Sequence, residues 1–326
     1  MRLLIVTPAQ PRSTLGNAVT AQRYAAFFHS AGWEAVVARD YEGQDVDALI
    51  ALHARRSANA ALSFRRRHPD RPLIVVLTGT DVYGELLASA ATRRALTSAT
   101  AIVTLQPQAI TRIPRAMRGK ARSIIQSAPQ TRRVGRSDLK SNRTLRVCVI
   151  GHLRPEKDPL RAAHAVALLP KECAVRVIQA GRALEPRYVT AARAEMRRNR
   201  RYRWLGELSR AGTGRLLRSS DAMIISSIME GGANIVSEAI ACGVPILASR
   251  IPGNIGILGR DYPGLFAARN TVALARLMRR AALNARFLTK LSRWIHRLRP
   301  LVAPSRERRA WIALIRDVVA SRRSTY

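Results

Sequence analysis

The chain has 326 residues, 47% of them hydrophobic, which is enough for two domains of ordinary size and excludes general disorder. Lys and Arg number 56 against 21 Asp and Glu, which gives a formal net charge of +35. No uninterrupted apolar run reaches the ~18 residues that a membrane-spanning helix needs, so no membrane span is expected.

The first half alternates short apolar runs with amphipathic stretches, a pattern typical of strands and helices that follow one another. The predicted elements are strands at residues 3–6, 35–38, 48–52, 73–77, 101–103 and 123–125, and helices at 19–30 and 57–67. A polar stretch at residues 126–143, which contains Pro129 and Gly135, predicts a linker.

The same alternation restarts after the linker. The predicted strands are 145–150, 175–179, 202–205, 222–225 and 246–248, and the predicted helices are 159–168, 186–198, 214–218 and 233–242. Three further helical stretches close the chain, the last at residues 305–321.

Repeated strand–helix alternation predicts parallel sheets covered by helices on both faces. The predicted fold class is therefore α/β, with two doubly wound, Rossmann-like domains at residues 1–140 and 141–304 and a cleft between them. The helix within residues 305–326 is expected to pack back on the first domain. Ligands of such sheets bind at the carboxyl ends of the strands.

The most informative stretch is MEGGANIVSEAIACGVPILAS, residues 229–249, in which a glycine pair stands at the entrance of a helix. Glycine main chain lets a ligand come close, and free N–H groups at a helix start attract anions. Glu238 lies one turn beyond Asn234, so both border such a ligand, and a carboxylate suits a sugar diol. Glu230, on the loop, meets another part of the same ligand. The alternative is an ordinary glycine turn with one solvated glutamate and one glutamate bonded to its own helix.

Two loops of the first half also follow predicted strands. Gly16 and Asn17 precede the first helix, where their amides could face a cleft or belong to an ordinary flexible loop. Thr78 and Asp81 follow the strand at residues 73–77 and offer a hydroxyl and a carboxylate, although Asp81 also suits a structural role as a cap.

A third loop, Gly151-His-Leu-Arg-Pro-Glu-Lys-Asp158, opens the second half. Arg154 and Lys157 at a strand end form a natural site for a diphosphate. The weaker alternative is a surface salt bridge between Lys157 and one of the acids beside it.

Together these motifs resemble the retaining glycosyltransferases of family 4, which have the GT-B fold. The matching elements are the Gly-Asn loop, a Gly-x-Leu-x-x-x-Lys sequence and, as the most specific, the E-x7-E motif of Glu230 and Glu238. The resemblance implies that Glu238 binds the ribose of a nucleotide sugar and Glu230 the hydroxyls of the donor sugar. The donor-binding residues that it implies are His152, Arg154, Lys157, Gly231, Gly232, Ala233, Asn234 and Glu238, with no obligatory metal or other cofactor.

The sequence departs from the family at two positions. His152 stands where the family usually has an arginine, so Arg154 is expected to substitute. Thr78 stands where many members have a histidine that supports transfer to a hydroxyl. We assign the catalytic roles to Glu230, Thr78 and Asp81.

The whole pattern is most similar to one branch, the selenosugar synthases of selenoneine biosynthesis. The segments that carry this resemblance include Leu4-Ile-Val-Thr-Pro8, Ala51-Leu-His-Ala-Arg-Arg-Ser57 and Ala248-Ser-Arg-Ile-Pro-Gly253. It implies that the chain joins a UDP-sugar, UDP-N-acetylglucosamine or UDP-glucose, to selenophosphate. The products would be a 1-seleno sugar, UDP and phosphate.

An acceptor of that kind needs cations, because selenophosphate is a small trianion. The expected acceptor-binding residues are Gly16, Asn17, His53, Arg55 and Arg56. The alternative for the last three is the start of a basic, solvated helix.

The net charge leaves two rival functions open. One is a family 4 transferase that acts on a hydroxyl of a glycan or lipid, with its basic surface on an anionic membrane. The other is a nucleic-acid-binding protein on an inactive fold, but aromatics make up only 5% and no nucleic-acid motif is present. We therefore expect no specific nucleic-acid partner.

Three scattered cysteines without metal-ligand spacing favour reduced thiols and a cytoplasmic protein.

Overall fold

The structure is a computed structural model that describes residues 1–10, 13, 15–84, 86, 89–132 and 144–323. The chain divides into two units. The first comprises Met1–Ser127, Glu230–Asn234 and Pro304–Tyr326, and the second comprises Ala128–Met229 and Ile235–Ala303. The predicted domain boundary after residue 140 and most of the predicted linker lie outside the described residues.

The first unit is built on a six-stranded parallel sheet. Its strands are β1 (Arg2–Val6), β2 (Glu34–Ala38), β3 (Ala48–Leu52), β4 (Leu73–Leu77), β5 (Ala101–Thr104) and β6 (Ala121–Ser123). They pair in the order β2-β1-β3-β4-β5-β6. The helices between them are α1 (Gly16–His29), α2 (Ala58–Arg67), α3 (Thr80–Tyr83) and α4 (Ala90–Ser98).

Both faces of this sheet carry a hydrophobic core, because alternate residues of a strand point to opposite faces. In β1, Leu4 packs into one core with Phe64 of α2, while Leu3 packs into the other with Tyr24 of α1. This two-sided burial explains why the central strands are continuously apolar.

The second unit repeats the architecture with another six-stranded parallel sheet. Its strands are β7 (Leu145–Ile150), β8 (Val175–Ala180), β9 (Tyr202–Trp204), β10 (Ala222–Ile225), β11 (Ile246–Ser249) and β12 (Leu265–Phe266). They pair in the order β12-β11-β10-β7-β8-β9. Its helices are α5 (Arg161–Ala167), α6 (Pro186–Arg198), α7 (Arg210–Arg218), α8 (Asn234–Cys242), α9 (Pro252–Leu258), α10 (Thr271–Leu283) and α11 (Ala285–Leu298).

The last helix, α12 (Pro304–Arg323), packs in the first unit. Trp311 is fully buried there, with ring centroids 4.4 Å from Tyr24 and 6.1 Å from Phe28, both on α1. Helix α12 thus completes the core between α1 and the sheet of the first unit.

The predicted class, two doubly wound parallel α/β sheets, is confirmed. Strands β3, β4 and β10 match their predicted residues, whereas helix α1 begins at Gly16 rather than at residue 19. Helices α4 and α9 were not predicted. α9 contains two glycines, which indicate a loop, and α4 carries little apolar signal although Ser89 accepts a capping hydrogen bond from the Thr92 N–H.

Two further findings bear on composition. All three cysteines are buried and carry free thiols. Within the described part of the chain, no helix is long and apolar enough to cross a membrane.

Candidate active site

The second unit has a pocket at the carboxyl ends of its central strands β7, β8 and β10. About 310 Å³ of space is lined by Val149, Ile150, Gly151, His152, Lys157, Pro159, Gln179, Ile224, Ile225, Ser226, Ser227 and Ile235. This is the sheet edge where open α/β folds bind ligands. Two of the predicted donor-binding side chains, His152 and Lys157, belong to the lining.

Lys157 is held at this pocket through its main chain. The Ser226 hydroxyl donates hydrogen bonds to the carbonyl oxygens of Lys157 (3.1 Å) and Asp158 (3.0 Å). The Asp158 carboxylate in turn pairs with Arg161 at 2.7 Å. Asp158 thus has a partner at the start of helix α5.

Arg154 lies on the same loop, directly before the 3-10 turn Pro155–Lys157. Its side chain is 38% exposed, and its Nε is 3.8 Å from the Glu156 carboxylate. Of the predicted cationic pair, Lys157 lies in the pocket wall, while Arg154 is not among the described lining residues.

His152 enters the pocket as a neutral group. Burial lowers the pKa of the His152 imidazole, and the nearby cations Arg182, Arg154 and Lys157 lower it further against the opposing effect of Glu207. Its Nδ1 accepts a hydrogen bond from the Arg182 main-chain N–H at 3.2 Å, so the proton of the neutral ring is on Nε2. His152 can therefore donate a hydrogen bond to an oxygen of a ligand without adding a charge.

Gln179 is a polar lining residue that the sequence analysis missed. It is only 1% exposed, and its Oε1 accepts a hydrogen bond from the Tyr202 hydroxyl at 2.7 Å. Burial raises the pKa of Tyr202, so this hydroxyl keeps its proton and remains the donor. Gln179 lies near the end of strand β8, which also contains Arg176, so a polar residue there does not by itself indicate a site.

Helix α8 begins at Asn234, one residue after the predicted start. Glu238 stands one helical turn beyond Asn234 and is half-buried; its diol-binding role stays a prediction. The side chain of Asn234 is already engaged, because its Nδ2 donates to the Gly16 carbonyl and the Thr20 hydroxyl, both at 3.3 Å. If Asn234 contributes to a donor site as predicted, the contributing group is therefore its main-chain N–H.

In the first unit, Asp81 organises the loop after β4. Its carboxylate is buried and accepts hydrogen bonds from the N–H groups of Gly79 (2.7 Å), Ala54 (2.8 Å) and Thr78 (3.0 Å). A carboxylate with three main-chain partners positions two loops at once. The geometry thus favours a positioning role for Asp81, close to the structural alternative, and leaves the Thr78 side chain as the partly exposed group of this loop.

His53 ends the neighbouring strand β3 in the left-handed region, with φ of 72°. Its Nε2 lies 3.0 Å from the Thr80 hydroxyl, and its Nδ1 accepts the Arg56 N–H at 3.4 Å. Burial lowers the pKa of His53, with Arg56 and Arg55 acting in the same direction against Asp81. His53 is therefore neutral and bound to its own scaffold, while the exposed side chains of Arg55 and Arg56 supply the positive charge.

The loop Glu230–Asn234 belongs to the first unit, and its glycines pack tightly there. A Cβ on Gly231 would lie 2.5 Å from the Thr78 carbonyl oxygen, and one on Gly232 would lie 2.7 Å from Leu105 Cβ. Close protein packing thus requires the glycine pair, whereas the approach of a ligand, which the sequence predicted, stays a prediction. Glu230 and Ala233 are buried beside it.

Two polar residues that sequence reasoning missed hold this loop. Gln126 donates from Nε2 to the Gly232 carbonyl at 2.9 Å, and Arg23 donates from Nη1 to Asn234 Oδ1 at 2.9 Å. No local sequence signal points to either residue, because these partners are 106 and 211 positions apart in the chain. At the start of α1, Gly16 is exposed and Asn17 is half-buried, and Leu15 offers no side-chain cap.

The described residues contain no group of three or more His, Cys, Asp or Glu that could hold a metal ion. The polar groups at the strand ends are instead suited to anions and hydroxyls. Residues 133–297, just over half of the chain, match the model of the family glycosyl transferases group 1. The chain belongs to this family.

Solved structures similar to this group 1 glycosyltransferase span nearly its whole length. A sucrose-phosphate synthase from Thermosynechococcus elongatus is 14% identical, with a TM-score of 0.78 over 98% of this chain and 99% of that one. HepE of Anabaena, solved with UDP-glucose, is 16% identical, with a TM-score of 0.72 over 99% and 100% of the two chains. A glycosyltransferase from Rickettsia africae is 13% identical, with a TM-score of 0.76 over 98% of both. At these identities the likeness is one of fold, and the predicted GT-B fold is confirmed.

Proposed function

We propose that this glycosyltransferase uses a UDP-sugar and that its second unit binds the nucleotide. The observation that carries the proposal is the strand-end pocket with Lys157 fixed in its wall and His152 held neutral beside it. A diphosphate needs a cation and hydrogen-bond donors, and these two side chains supply both. HepE, which shares the fold, was solved with UDP and with UDP-glucose.

The other donor roles follow the E-x7-E resemblance. Glu238 binds the ribose hydroxyls, and Glu230 binds hydroxyls of the transferred sugar. Main-chain amides of Gly231, Gly232, Ala233 and Asn234, at the start of α8, stabilise the negative charge that develops on the leaving diphosphate. Arg154, which is partly exposed, adds long-range positive charge.

We further propose that the acceptor is selenophosphate. Three features of the first unit support a compact anion over a sugar hydroxyl. Thr78 replaces the histidine expected at this loop, Asp81 is committed to main-chain N–H groups, and Arg55 and Arg56 present two guanidinium groups. The Gly16 and Asn17 amides at the uncapped start of α1 complete the proposed acceptor site.

The proposed chemistry is balanced without an oxidant or reductant. The selenium of selenophosphate forms a bond to C1 of the sugar while the C1–O bond to the diphosphate breaks, and the electron pair leaves with UDP. Water then replaces selenium on phosphorus, which releases phosphate and leaves a 1-seleno sugar. A selenium nucleophile is reactive at neutral pH, so the reaction tolerates the lack of a general base at Thr78.

The deciding experiment is incubation with UDP-glucose or UDP-N-acetylglucosamine, with and without selenophosphate, followed by mass spectrometry. A hexose with the selenium isotope pattern, formed together with an equal amount of UDP, is the expected result. Inorganic phosphate in place of selenophosphate is the matched control and should give no such product. If UDP is released only when a glycan or lipid is present, selenophosphate is not the acceptor, but the protein is still a UDP-sugar-dependent transferase.

The charge of +35 favours a second candidate, transfer to a hydroxyl on an anionic membrane surface. Helix α10 exposes the apolar side chains of Val272 and Leu283 beside the exposed Arg276 and Arg279, a combination that suits lipid headgroups. This candidate predicts binding to phosphatidylserine vesicles that weakens with salt. Equal affinity for neutral and anionic vesicles would exclude it.

A further inference from the structure

We propose that Arg23 is a positioning residue that fixes the loop Glu230–Asn234, and that Glu307 on the last helix holds Arg23 in place. The inference rests on the proposed function for the role of the loop, but the geometry behind it stands independently. It assigns a task in the proposed sugar-transfer site to Arg23 and Glu307, which act there through other residues.

The guanidinium of Arg23 makes three side-chain hydrogen bonds. Nε donates to Glu307 Oε2 at 2.9 Å, Nη1 to Asn234 Oδ1 at 2.9 Å, and Nη2 to Gln126 Oε1 at 2.6 Å. These partners lie on α12, at the start of α8 and after β6, respectively. A planar fork with five donors can serve three acceptors in different directions, whereas a lysine ammonium on a flexible stem cannot hold the same geometry.

The loop is fixed at two points through this group. Gln126, whose Oε1 also accepts from the Thr20 hydroxyl at 3.0 Å, donates to the Gly232 carbonyl. Asn234 is bonded by Arg23 through Oδ1 and to Thr20 through Nδ2. The main-chain amides between these two points are the ones proposed to face the diphosphate, so their direction depends on Arg23.

Glu307 provides the counter-charge. It is 2% exposed, and its Oε2 accepts the Ser127 N–H at 2.7 Å in addition to Arg23 Nε. A buried carboxylate without a cation is costly, so Glu307 and Arg23 hold each other in one arrangement. The last helix thereby contributes to the sugar-transfer site without reaching it.

The test compares Arg23→Lys and Thr20→Val with Arg309→Ala, an exposed arginine on the same helix as Glu307. Arg23→Lys keeps the charge opposite Glu307 and loses the fork, while Thr20→Val removes only a hydroxyl. Hydrogen exchange of peptides covering Glu230–Asn234 is measured on the protein without ligand. We expect exchange at least 10-fold faster in Arg23→Lys, several-fold faster in Thr20→Val, and unchanged in Arg309→Ala.

The second readout is UDP release from UDP-glucose. Arg23→Lys should lower kcat/KM by about 10- to 100-fold while its thermal midpoint stays near that of the wild type, a separation that a purely structural role would not give. Wild-type exchange at the loop in both Arg23→Lys and Thr20→Val overturns the inference. If the wild type neither binds UDP nor releases it, the proposed function fails, and the exchange result still decides the positioning role.

Discussion

The loop after β4 in the first unit and the loop after β7 in the second both follow the carboxyl end of a central parallel strand. The first turns its acid inward, and Asp81 binds the N–H groups of two loops. The second turns its carbonyls inward to Ser226 and leaves Lys157 and His152 at a pocket. Parallel strand ends thus yield a scaffold in one unit, where a side chain anchors the loop, and a binding surface in the other, where the main chain is anchored.

The largest expected difference between the two loops is the loss of stability when the Asp81 carboxylate is removed. Asp81→Ala leaves three main-chain N–H groups without their acceptor, two of them buried, and we expect the free energy of unfolding to fall by about 3–5 kcal/mol. Chemical denaturation measures this loss. Asp45→Ala is the control, since Asp45 pairs with Arg2 and Arg71 at the surface and should have little effect. Equal losses in both variants would contradict the scaffold role.

Lys157→Ala tests the opposite property of the second loop. The Ser226 hydroxyl anchors the main chain of this loop, and Lys157→Ala leaves that contact in place, so stability should change little. The affinity for UDP should fall by roughly 10- to 100-fold, or about 1.4–2.8 kcal/mol, as a charge-assisted contact to the diphosphate is lost. Calorimetry with UDP measures it, with the exposed Lys171→Ala as the matched variant. A stable protein with full UDP affinity would remove Lys157 from the site.

We expect the first unit to bind selenophosphate through Arg55 and Arg56, which lie beside the loop that Asp81 anchors. Adjacent residues do not share a face of the chain, so one alanine variant should be impaired and the other should be close to wild type. In the impaired variant we expect a selenophosphate KM higher, or a turnover lower, by roughly 10-fold. UDP affinity should remain intact in both. Full activity of both single variants would show that Arg55 and Arg56 do not bind the acceptor.

The smallest expected effect concerns the pH dependence of His53. Burial holds the folded-state pKa of His53 below its ordinary value of 6.5, so the unfolded chain takes up a proton there that the folded chain does not. The wild type should therefore lose stability as the pH falls below 6.5, and His53→Gln should lose less. Thermal midpoints at neutral and mildly acidic pH measure the difference between the two proteins. A difference that stays constant with pH would mean that His53 is not held neutral.

The sequence predicted the parts of this molecule that depend on local patterns. Apolar runs marked β3, β4 and β10, and strand ends marked Lys157 and Asp81. Contacts across the chain were not predictable in the same way. The side chain of Arg23 has partners 103, 211 and 284 residues away, and Gly231 packs on a loop some 150 residues earlier, so no periodicity or spacing records them. Gln179 was missed because an isolated amide side chain in a mostly apolar strand does not by itself indicate a binding site.

The packing of α12 also sets an order for biosynthesis. The residues of the second unit, through Ala303, have all been translated before Trp311 exists, whereas the first core lacks its largest buried side chain until then. Every strand of the second sheet, through Phe266, has therefore been translated at a point when the core of the first unit is still incomplete. A nascent chain arrested before Trp311 therefore leaves uncovered the ring faces of Tyr24 and Phe28 that pack against Trp311, and we expect such a chain to bind chaperones.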